Sequence, residues 1–460
     1  MMLLSQAARV LNGRLVGEDV RFTAVSTDSR EINPGDLFIA LRGEHFDGYE
    51  FVAAAAQAGA VAAVIEEQGA SGKAQDQAAS PAPCTLLLVP YSTRLALGQL
   101  AAYWRNRFDI PLVAITGSNG KTTVKEMLAG ILRAAAGNET GVLATKGNLN
   151  NDIGMPLTLL QMAAQYRYAV IEMGMNHPGE IDYLTRIACP DVALVNNASG
   201  AHLEGLGSVD AVAGAKGEIF AGLSPNGTAI INADDAYAPL WRTLVGAHPL
   251  LEFGLDQQAD VSGRWQPKGS GLQLEVRAPQ GNFTADLQVP GVHNARNALA
   301  ATTAAIALNV PLETIAVGLE RFTGVAGRMQ RKAAKHGAIL IDDTYNANPA
   351  SVRAAIGVLA NVAGKRVLVL GDMGELGDEA AKLHAEIGSE ARRAGIERLF
   401  ALGALSAGAV SEFGSGGRHF ERVEDLLAAL EKELDGNTTM LVKGSRFMKM
   451  ERVVEHFTVH

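Results

Sequence analysis

Cysteine is scarce in this sequence: Cys84 and Cys189 are the only two among its 460 residues. Two cysteines cannot build a disulfide framework, so we expect a reducing, cytoplasmic environment and two small, partly apolar side chains. Residues 1–15 have neither a basic leader nor a long apolar core, which argues against a signal peptide. No run of about 18 apolar residues occurs, which excludes a membrane-spanning helix.

Basic residues are also too few to suggest a nucleic-acid-binding protein. Lysine and arginine number 40 against 49 aspartates and glutamates, giving a net charge of −9. Binding to a phosphate backbone needs clustered positive charge, so we expect no nucleic-acid partner. We also expect small-molecule substrates and a monomer. Prolines number only 16 against 50 glycines, which is typical of an α/β protein with many tight strand-to-helix turns.

The length predicts three domains at about 150 residues each. Residues 1–108 have the pattern of a small α/β unit, with a Gln/Ala/Ser/Gly-rich surface loop at 67–83. Residues 109–323 alternate continuous apolar runs with helical patterns, which indicates a parallel sheet covered on both faces. Residues 324–460 repeat this alternation and predict a Rossmann-like domain, whose sites lie at the carboxyl ends of its strands.

A phosphate-binding loop is the most informative local feature. The apolar run 111–115 precedes the string Thr-Gly-Ser-Asn-Gly-Lys-Thr-Thr at 116–123, and a helical pattern follows at 124–135. Glycines let backbone N–H groups approach phosphate oxygens, Lys121 adds a full charge, and the Thr122 hydroxyl can bind Mg²⁺. The generic motif needs a glycine where Ile115 stands, so a plain turn is the alternative. The flanking strand and helix favour a nucleoside triphosphate site.

Three further residues have the character of metal ligands. Glu172 ends a predicted buried strand beside the phosphate loop, where a hard oxygen suits Mg²⁺, although it could be a solvated loop glutamate. His202 lies in a loop after the strand 192–196 and could be a ligand or a satisfied polar residue. Lys216 lies on a small, apolar helical face, where an amine is either paired, chemically altered or extended to solvent.

Other polar loops follow predicted strands or lie at the second domain boundary. The loop 145–156 is rich in amides and suits a substrate with many oxygens, although alone it is only a loop. Arg328 could swing onto a triphosphate when domains close, and a carboxylate in Asp342-Asp343 could bind ribose hydroxyls. Lys443 and Arg446 form a second basic strand-to-helix loop, suited to an anionic group or simply a pair of surface charges.

Several strings, taken together and in order, resemble the Mur ligase family. They are TGSNGKT, EMGMNHPGEI, NNASGAHLEG, AGAKGE, GVHNARNALAA, GRM and DDTYNANP. The opening segment STDSREINPGDLFIALRGEHFDGYEF is similar to the uridine-binding module of the tripeptide- and pentapeptide-forming members. The string TYNANPAS is similar to the pentapeptide-forming branch, and the Asp-Asn-Pro-Arg signature of the preceding enzyme is absent.

The resemblance implies a role for each matching residue. Lys121 and the loop Gly117, Ser118, Asn119, Gly120 and Thr123 would hold the ATP phosphates, and Thr122 with Glu172 would bind Mg²⁺. His202 and Lys216 would form a second metal site, with the lysine as an N-carbamate. Asn294 would contact adenine, Arg328 the γ-phosphate and Asp343 the ribose. The expected catalytic residues are Lys121, Glu172, His202, Lys216 and Arg328.

The resemblance also implies two groups of substrate-binding residues. The UDP-sugar would be held in the first domain by Ser26, Asp28, Ser29, Arg30, Arg42 and Gly43. Further substrate contacts would come from Thr145, Asn148, Asn151, Asn346, Asn348, Lys443 and Arg446.

The implied reaction is an ATP-dependent amide ligation. The substrates would be UDP-N-acetylmuramoyl-tripeptide, D-alanyl-D-alanine and ATP, joined through an acyl phosphate into the cytoplasmic pentapeptide precursor of peptidoglycan. Two alternatives remain at this point: a sister ligase, of the muramyl-peptide or folylpolyglutamate type, and an ATP-gated switch that catalyses no ligation. A switch would keep the phosphate loop but would not need Glu172, His202 and Lys216 together.

Overall fold

Four sheets with helices packed against them form the described part of the molecule. The computed structural model describes residues 1–43, 46–67, 84–200 and 203–459. The predicted loop at 67–83 lies almost wholly outside the described residues. The predicted α/β class and three-domain architecture are confirmed, with one large sheet in each of the three domains and a further two-stranded sheet in the first.

The N-terminal domain has a five-stranded sheet and a short two-stranded one. The five strands, in order across the sheet, are Arg14–Val16, Thr85–Val89, Ala62–Glu66, Leu37–Ile39 and Val25–Ser26. Met2–Leu3 pairs with Arg21–Phe22. The helices are Leu4–Val10, Val52–Ala58 and Thr93–Arg105, with a 3₁₀ turn at Gly48–Phe51.

The central domain contains a nine-stranded sheet. In order, its strands are Gly281–Leu287, Gly271–Ala278, Val261–Lys268, Leu250–Gly254, Thr228–Asn232, Val192–Val195, Leu112–Thr116, Tyr168–Glu172 and Val142–Ala144. The first two pairings are antiparallel and the others are parallel. Because Leu112–Thr116 lies between Val192–Val195 and Tyr168–Glu172, the loops after these three strands meet at one edge.

Helices cover both faces of the central sheet. They are Lys121–Ala136, Gly154–Leu159, Glu180–Ala188, Leu203–Leu206, Val209–Gly217, Ala238–Val245, Val292–Ala307 and Leu312–Glu320, with a 3₁₀ segment at Glu218–Gly222. The last helix was not predicted. It packs against Lys121–Ala136, where Gly318 lies against the backbone of Ile131.

The C-terminal domain is a six-stranded sheet, parallel except at one edge. Its strands, in order, are Gln330–Ala333, Ile339–Asp343, Thr438–Lys443, Lys365–Gly371, Arg398–Leu402 and Gly417–Phe420. Its helices are Pro349–Ala360, Ala380–Arg393, Ala407–Phe413, Val423–Leu430 and Glu451–Phe457, with 3₁₀ turns at Lys335–Gly337, Gly377–Glu379 and Arg446–Met448.

The start of the last helix differs from its prediction because of the backbone conformation of one residue. The apolar pattern predicts a helix over 447–456, but the α-helix begins at Glu451. Lys449 adopts a left-handed conformation with φ of 49°, which separates the preceding 3₁₀ turn from the helix. None of the helices within the described ranges combines the length and apolar character needed to cross a bilayer.

Candidate active site

The phosphate loop joins the central strand Leu112–Thr116 to the helix Lys121–Ala136. Gly120 has φ of 80°, and a β-carbon there would lie 2.4 Å from the side-chain oxygen of Asn297. Glycine is therefore required for both conformation and space. The Lys121 ammonium donates a hydrogen bond to the Gly117 carbonyl at 2.7 Å, and desolvation lowers the pKa of Lys121, opposed by the nearby Glu172 carboxylate.

Glu172 and Thr122 meet beside this loop, as the motif order predicted. The Thr122 hydroxyl donates to one oxygen of the buried Glu172 carboxylate at 2.8 Å. Asn150 donates its side-chain N–H to the other oxygen, also at 2.8 Å. Sequence reasoning picked out the neighbours Asn148 and Asn151 but missed Asn150, since an amide-rich loop gives no signal for which amide turns inward.

The three predicted substrate contacts in the loop 145–156 lie in different surroundings. Thr145 is buried, and its hydroxyl accepts a hydrogen bond from the Glu172 backbone N–H at 2.9 Å, so its side chain is closed to a substrate. The Asn151 side-chain oxygen accepts from the Gly154 N–H at the start of a helix, while the residue is exposed and lines the central cavity. Asn148 is exposed on the wall of the central cavity and stays a predicted substrate contact.

Lys216 lies near the C-terminal end of the helix Val209–Gly217 and is 1% exposed. Burial, together with the positive charge of Lys121, places its pKa well below the ordinary lysine value. A lowered pKa increases the fraction of the amine that is uncharged and nucleophilic at a given pH. The predicted partner His202 lies outside the described residues.

Arg328 comes from the C-terminal domain and reaches the phosphate loop. Its guanidinium donates to the Thr122 hydroxyl at 2.9 Å and lies 4.1 Å from the ring centre of Tyr345. Its Nε is buried and has no hydrogen-bond partner among the described residues. An arginine held by a ring face, with an unused donor beside a phosphate loop, is suited to an anionic ligand. Sequence reasoning missed the contribution of Tyr345.

Two other predicted ligand residues of this domain contact each other. The Lys443 ammonium donates to the Asp343 carboxylate at 2.6 Å and to the Asn346 carbonyl at 2.9 Å. Both charged groups are buried, and Asp343 also accepts from the Met329 N–H. A buried pair of this kind fixes the carboxyl ends of two neighbouring strands. Arg446 is exposed and pairs with Glu451.

A cavity of about 1330 Å³ connects these groups across the domains. Its lining includes residues of the phosphate loop, Glu172, Asn294, Arg328, Asp343 and Asn346. Arg94 also lines it from the first domain and forms an ion pair with Asp152 at 2.6 Å. Asn294 is buried and donates to the Pro290 carbonyl at 2.7 Å.

The predicted UDP-sugar residues lie apart from this cavity, whose described lining includes none of them. Arg30 pairs with Asp28 in a tight turn, and this contact lowers the pKa of Asp28 to about 2. Ser26 donates its hydroxyl to the Asp28 carbonyl, while Arg42 and Gly43 are exposed. The UDP-sugar as the ligand of these residues and of Ser29 stays a prediction.

The residues around Thr122 fit a magnesium ion. Mg²⁺ takes hard oxygen ligands, usually one or two from protein together with phosphates and water. Thr122 and Glu172 offer a hydroxyl and a carboxylate next to the phosphate loop. Within the described residues no group of three or more His, Cys, Asp or Glu side chains could hold a metal by itself, so phosphate oxygens would complete the coordination.

Family models match each of the three domains. The Mur ligase catalytic domain model matches residues 21–105, the Mur ligase middle domain model residues 115–305, and the Mur ligase glutamate ligase domain model residues 327–446. The chain belongs to the Mur ligase family. Individual Mur ligases are similar to it over nearly the whole of the chain.

One such relative is the UDP-N-acetylmuramoyl-tripeptide--D-alanyl-D-alanine ligase of Escherichia coli K12. It is 42% identical over 456 residues, which cover 98% of this chain and 97% of the relative. A crystal structure of MurF from Acinetobacter baumannii has a TM-score of 0.89 at 36% identity, covering 98% and 97%. MurF from Thermotoga maritima, solved in complex with ADP, has a TM-score of 0.81 at 27% identity, covering 94% and 96%.

Proposed function

We propose that this Mur ligase is an ATP-dependent enzyme that joins D-alanyl-D-alanine to UDP-N-acetylmuramoyl-tripeptide. The product is the pentapeptide precursor of peptidoglycan. The observation that carries the proposal is the full-length similarity to ligases of that name. The phosphate loop, Glu172 and Arg328 supply the groups that such a reaction needs in one cavity.

The first step activates a carboxylate, which is a poor electrophile. One carboxylate oxygen attacks the γ-phosphorus of ATP, the bond to the bridging oxygen breaks, and ADP leaves an acyl phosphate behind. Lys121 and the loop N–H groups would hold the phosphates, and the unused Arg328 donor would face the transferred group. Positive groups placed there stabilise the charge on the phosphoryl group in the transition state.

The second step forms the amide. The amine nitrogen of D-alanyl-D-alanine attacks the acyl carbon and loses a proton, and phosphate departs with one oxygen of the original carboxylate. The amine must enter from a side of the cavity not occupied by ATP. Asn346, Lys443 and Arg446 line the same cavity as the phosphate loop but belong to the C-terminal domain, so we assign the dipeptide to these residues.

Thr122 and Glu172 would hold Mg²⁺, which supplies charge neutralisation when bound. We assign to Lys216 the role of a further metal ligand: in its uncharged form the amine would attack the carbon of CO₂, lose a proton and become an anionic carbamate, which with His202 would hold a second cation. The low pKa of the buried amine favours this reaction. Lys216→Ala would then abolish turnover, and a small added carboxylate would partly restore it. Retention of full turnover by this variant would exclude the carbamate.

Oxygen-18 in the terminal carboxyl of the tripeptide tests the acyl phosphate directly. We expect one labelled oxygen in each phosphate released when the dipeptide is present, together with the mass of the joined product. Unlabelled phosphate would contradict the proposed activation step. A panel of amines separates this ligase from its sister enzymes, since only D-alanyl-D-alanine should support rapid phosphate release.

We also propose that the enzyme works in the cytoplasm as a monomer. Both described cysteines, Cys84 and Cys189, are free thiols, as in proteins of a reducing compartment. Disulfide-linked forms isolated from cells, or an oligomer in solution scattering, would argue against this assignment.

A further inference from the structure

Two polar contacts bring the C-terminal domain onto the phosphate loop. Arg328 donates to Thr122, and the Asn348 side-chain N–H donates to the Asn119 side-chain oxygen at 2.9 Å. Asn119 belongs to the loop that would hold the nucleotide phosphates, and Thr122 lies in the first turn of the helix that follows this loop. Both contacts therefore depend on how the C-terminal domain lies against the central one.

The oxygen and the NH₂ group of the Asn348 side chain form hydrogen bonds in different domains. It is the N-cap of the helix Pro349–Ala360: its oxygen accepts from the Ser351 N–H at 2.9 Å, and the Ser351 hydroxyl accepts from the Asn348 N–H. Since the oxygen is used inside its own domain, the NH₂ group must face Asn119. The cap orients the amide, and the amide contacts the other domain.

Asn119 does not need Asn348 to keep its place in the loop. Its backbone N–H donates to the Asn197 side-chain oxygen at 2.8 Å, and its side-chain N–H donates to the Ser199 hydroxyl at 2.9 Å. Its carbonyl accepts from the amides of Asn196 and Asn197. The central domain alone thus holds the phosphate loop, and loss of the Asn348 contact would release the C-terminal domain without disordering the nucleotide site.

We propose that Asn348 is a positioning residue that holds the C-terminal domain closed over the phosphate loop, so that Arg328 stays within reach of the transferred phosphoryl group. This assignment departs from the substrate contact that the sequence suggested for Asn348. The proposal concerns domain closure and not which substrates are joined. It predicts a change in turnover without a change in nucleotide affinity.

The test replaces Asn348 by serine. Serine is an equally good N-cap but cannot reach Asn119, so Asn348→Ser removes the interdomain contact and keeps the helix capped. We expect kcat to fall about 2- to 10-fold, as for loss of one neutral hydrogen bond, with the KM for ATP unchanged. Calorimetry should give wild-type affinity for a non-hydrolysable ATP analogue. X-ray scattering with that analogue should give a larger radius of gyration than the wild type.

Two further variants distinguish an effect on domain closure from an effect on the stability of the protein. Asn348→Ala loses the cap as well, so its melting temperature should fall below that of Asn348→Ser while its kcat falls equally. Asn361→Ser changes an exposed asparagine beyond the other end of the same helix, and should behave as wild type. Wild-type kcat and scattering for Asn348→Ser would overturn the proposal, as would a loss of stability without a change in scattering. Binding and scattering need no peptide substrate, so these results are independent of the ligation reaction.

Discussion

Lys125 and Lys216 are both buried lysines close to the phosphate loop, each 1% exposed. The Lys125 amine donates to the Thr145 carbonyl and pairs with Glu126 at 2.9 Å. For Lys216, no hydrogen bond or ion pair occurs within the described residues, and its pKa is depressed. An unpaired amine in this position costs stability, because the folded protein cannot hold its charged form as well as water does.

We predict that Lys216→Met stabilises the protein in CO₂-free buffer by about 1–3 kcal/mol at neutral pH while abolishing ligation. The unfolded chain binds a proton at Lys216 up to a pKa near 10.5, and the folded chain loses it at a lower pH. Wild-type stability attributable to this group therefore falls as pH decreases from about 10.5 to the folded pKa, and the advantage of the variant grows over that window.

Urea unfolding at several pH values measures this difference. Lys125→Met is the matched control and should be destabilising, since it leaves the buried Thr145 carbonyl without its partner. A Lys216→Met variant less stable than wild type throughout the pH range would show that the amine has a stabilising partner.

Single residues differ in how far their surroundings could be predicted. The proximity of Thr122 and Glu172 followed from the sequence, because parallel strands end at one edge and the motif order placed one group on each. Asn150 could not be distinguished from Asn148 and Asn151, since the direction of each side chain depends on an irregular loop. Tyr345 was overlooked because its contact with Arg328 requires two segments to meet at a domain boundary.

At the scale of elements, close helix packing depends on particular glycines. Gly388 lies in the helix Ala380–Arg393, where a β-carbon would lie only about 1.9 Å from the Ala409 carbonyl oxygen of the neighbouring helix. Gly357 lies in the helix Pro349–Ala360, where a β-carbon would meet nothing within 4 Å. The two glycines share a helical environment and differ in the space around them.

We therefore predict opposite effects for the same substitution. Gly388→Ala should destabilise the C-terminal domain by about 1–3 kcal/mol, because the backbone of Ala409 must move. Gly357→Ala should stabilise it by about 0.5–1 kcal/mol through helix propensity and lower entropy of the unfolded chain. Thermal unfolding of both variants measures the effects. Equal changes in the two variants would contradict the packing explanation.

Strands were predicted better than the elements that cover them. The buried parallel strands have continuous apolar runs, such as Val192–Val195, and these were located from the sequence. The helix Leu312–Glu320 was missed because it is short and its role is to cover Lys121–Ala136, which only the tertiary structure reveals. The turn at Lys449 was missed because no glycine or proline marks it.

At the scale of the whole molecule, the N-terminal and central domains share an apolar core, whereas the C-terminal domain has its own. One cluster of buried side chains runs from Met2 in the N-terminal domain to Val245 in the central domain without a break between the two. In the described part of the C-terminal domain, both clusters contain only residues from Met329 onward. The contacts described between that domain and the phosphate loop are polar, so the C-terminal domain depends least on the rest of the chain.

This division predicts two calorimetric transitions for the full-length protein without nucleotide, one for the N-terminal and central domains together and one for the C-terminal domain. Gly388→Ala should lower only the C-terminal transition. A non-hydrolysable ATP analogue with Mg²⁺ should raise the transition of the N-terminal and central domains by mass action, because the phosphate loop lies in the central domain. A single transition that Gly388→Ala shifts as a whole would mean that polar contacts such as Asn348 with Asn119 couple the domains as strongly as a shared apolar core does.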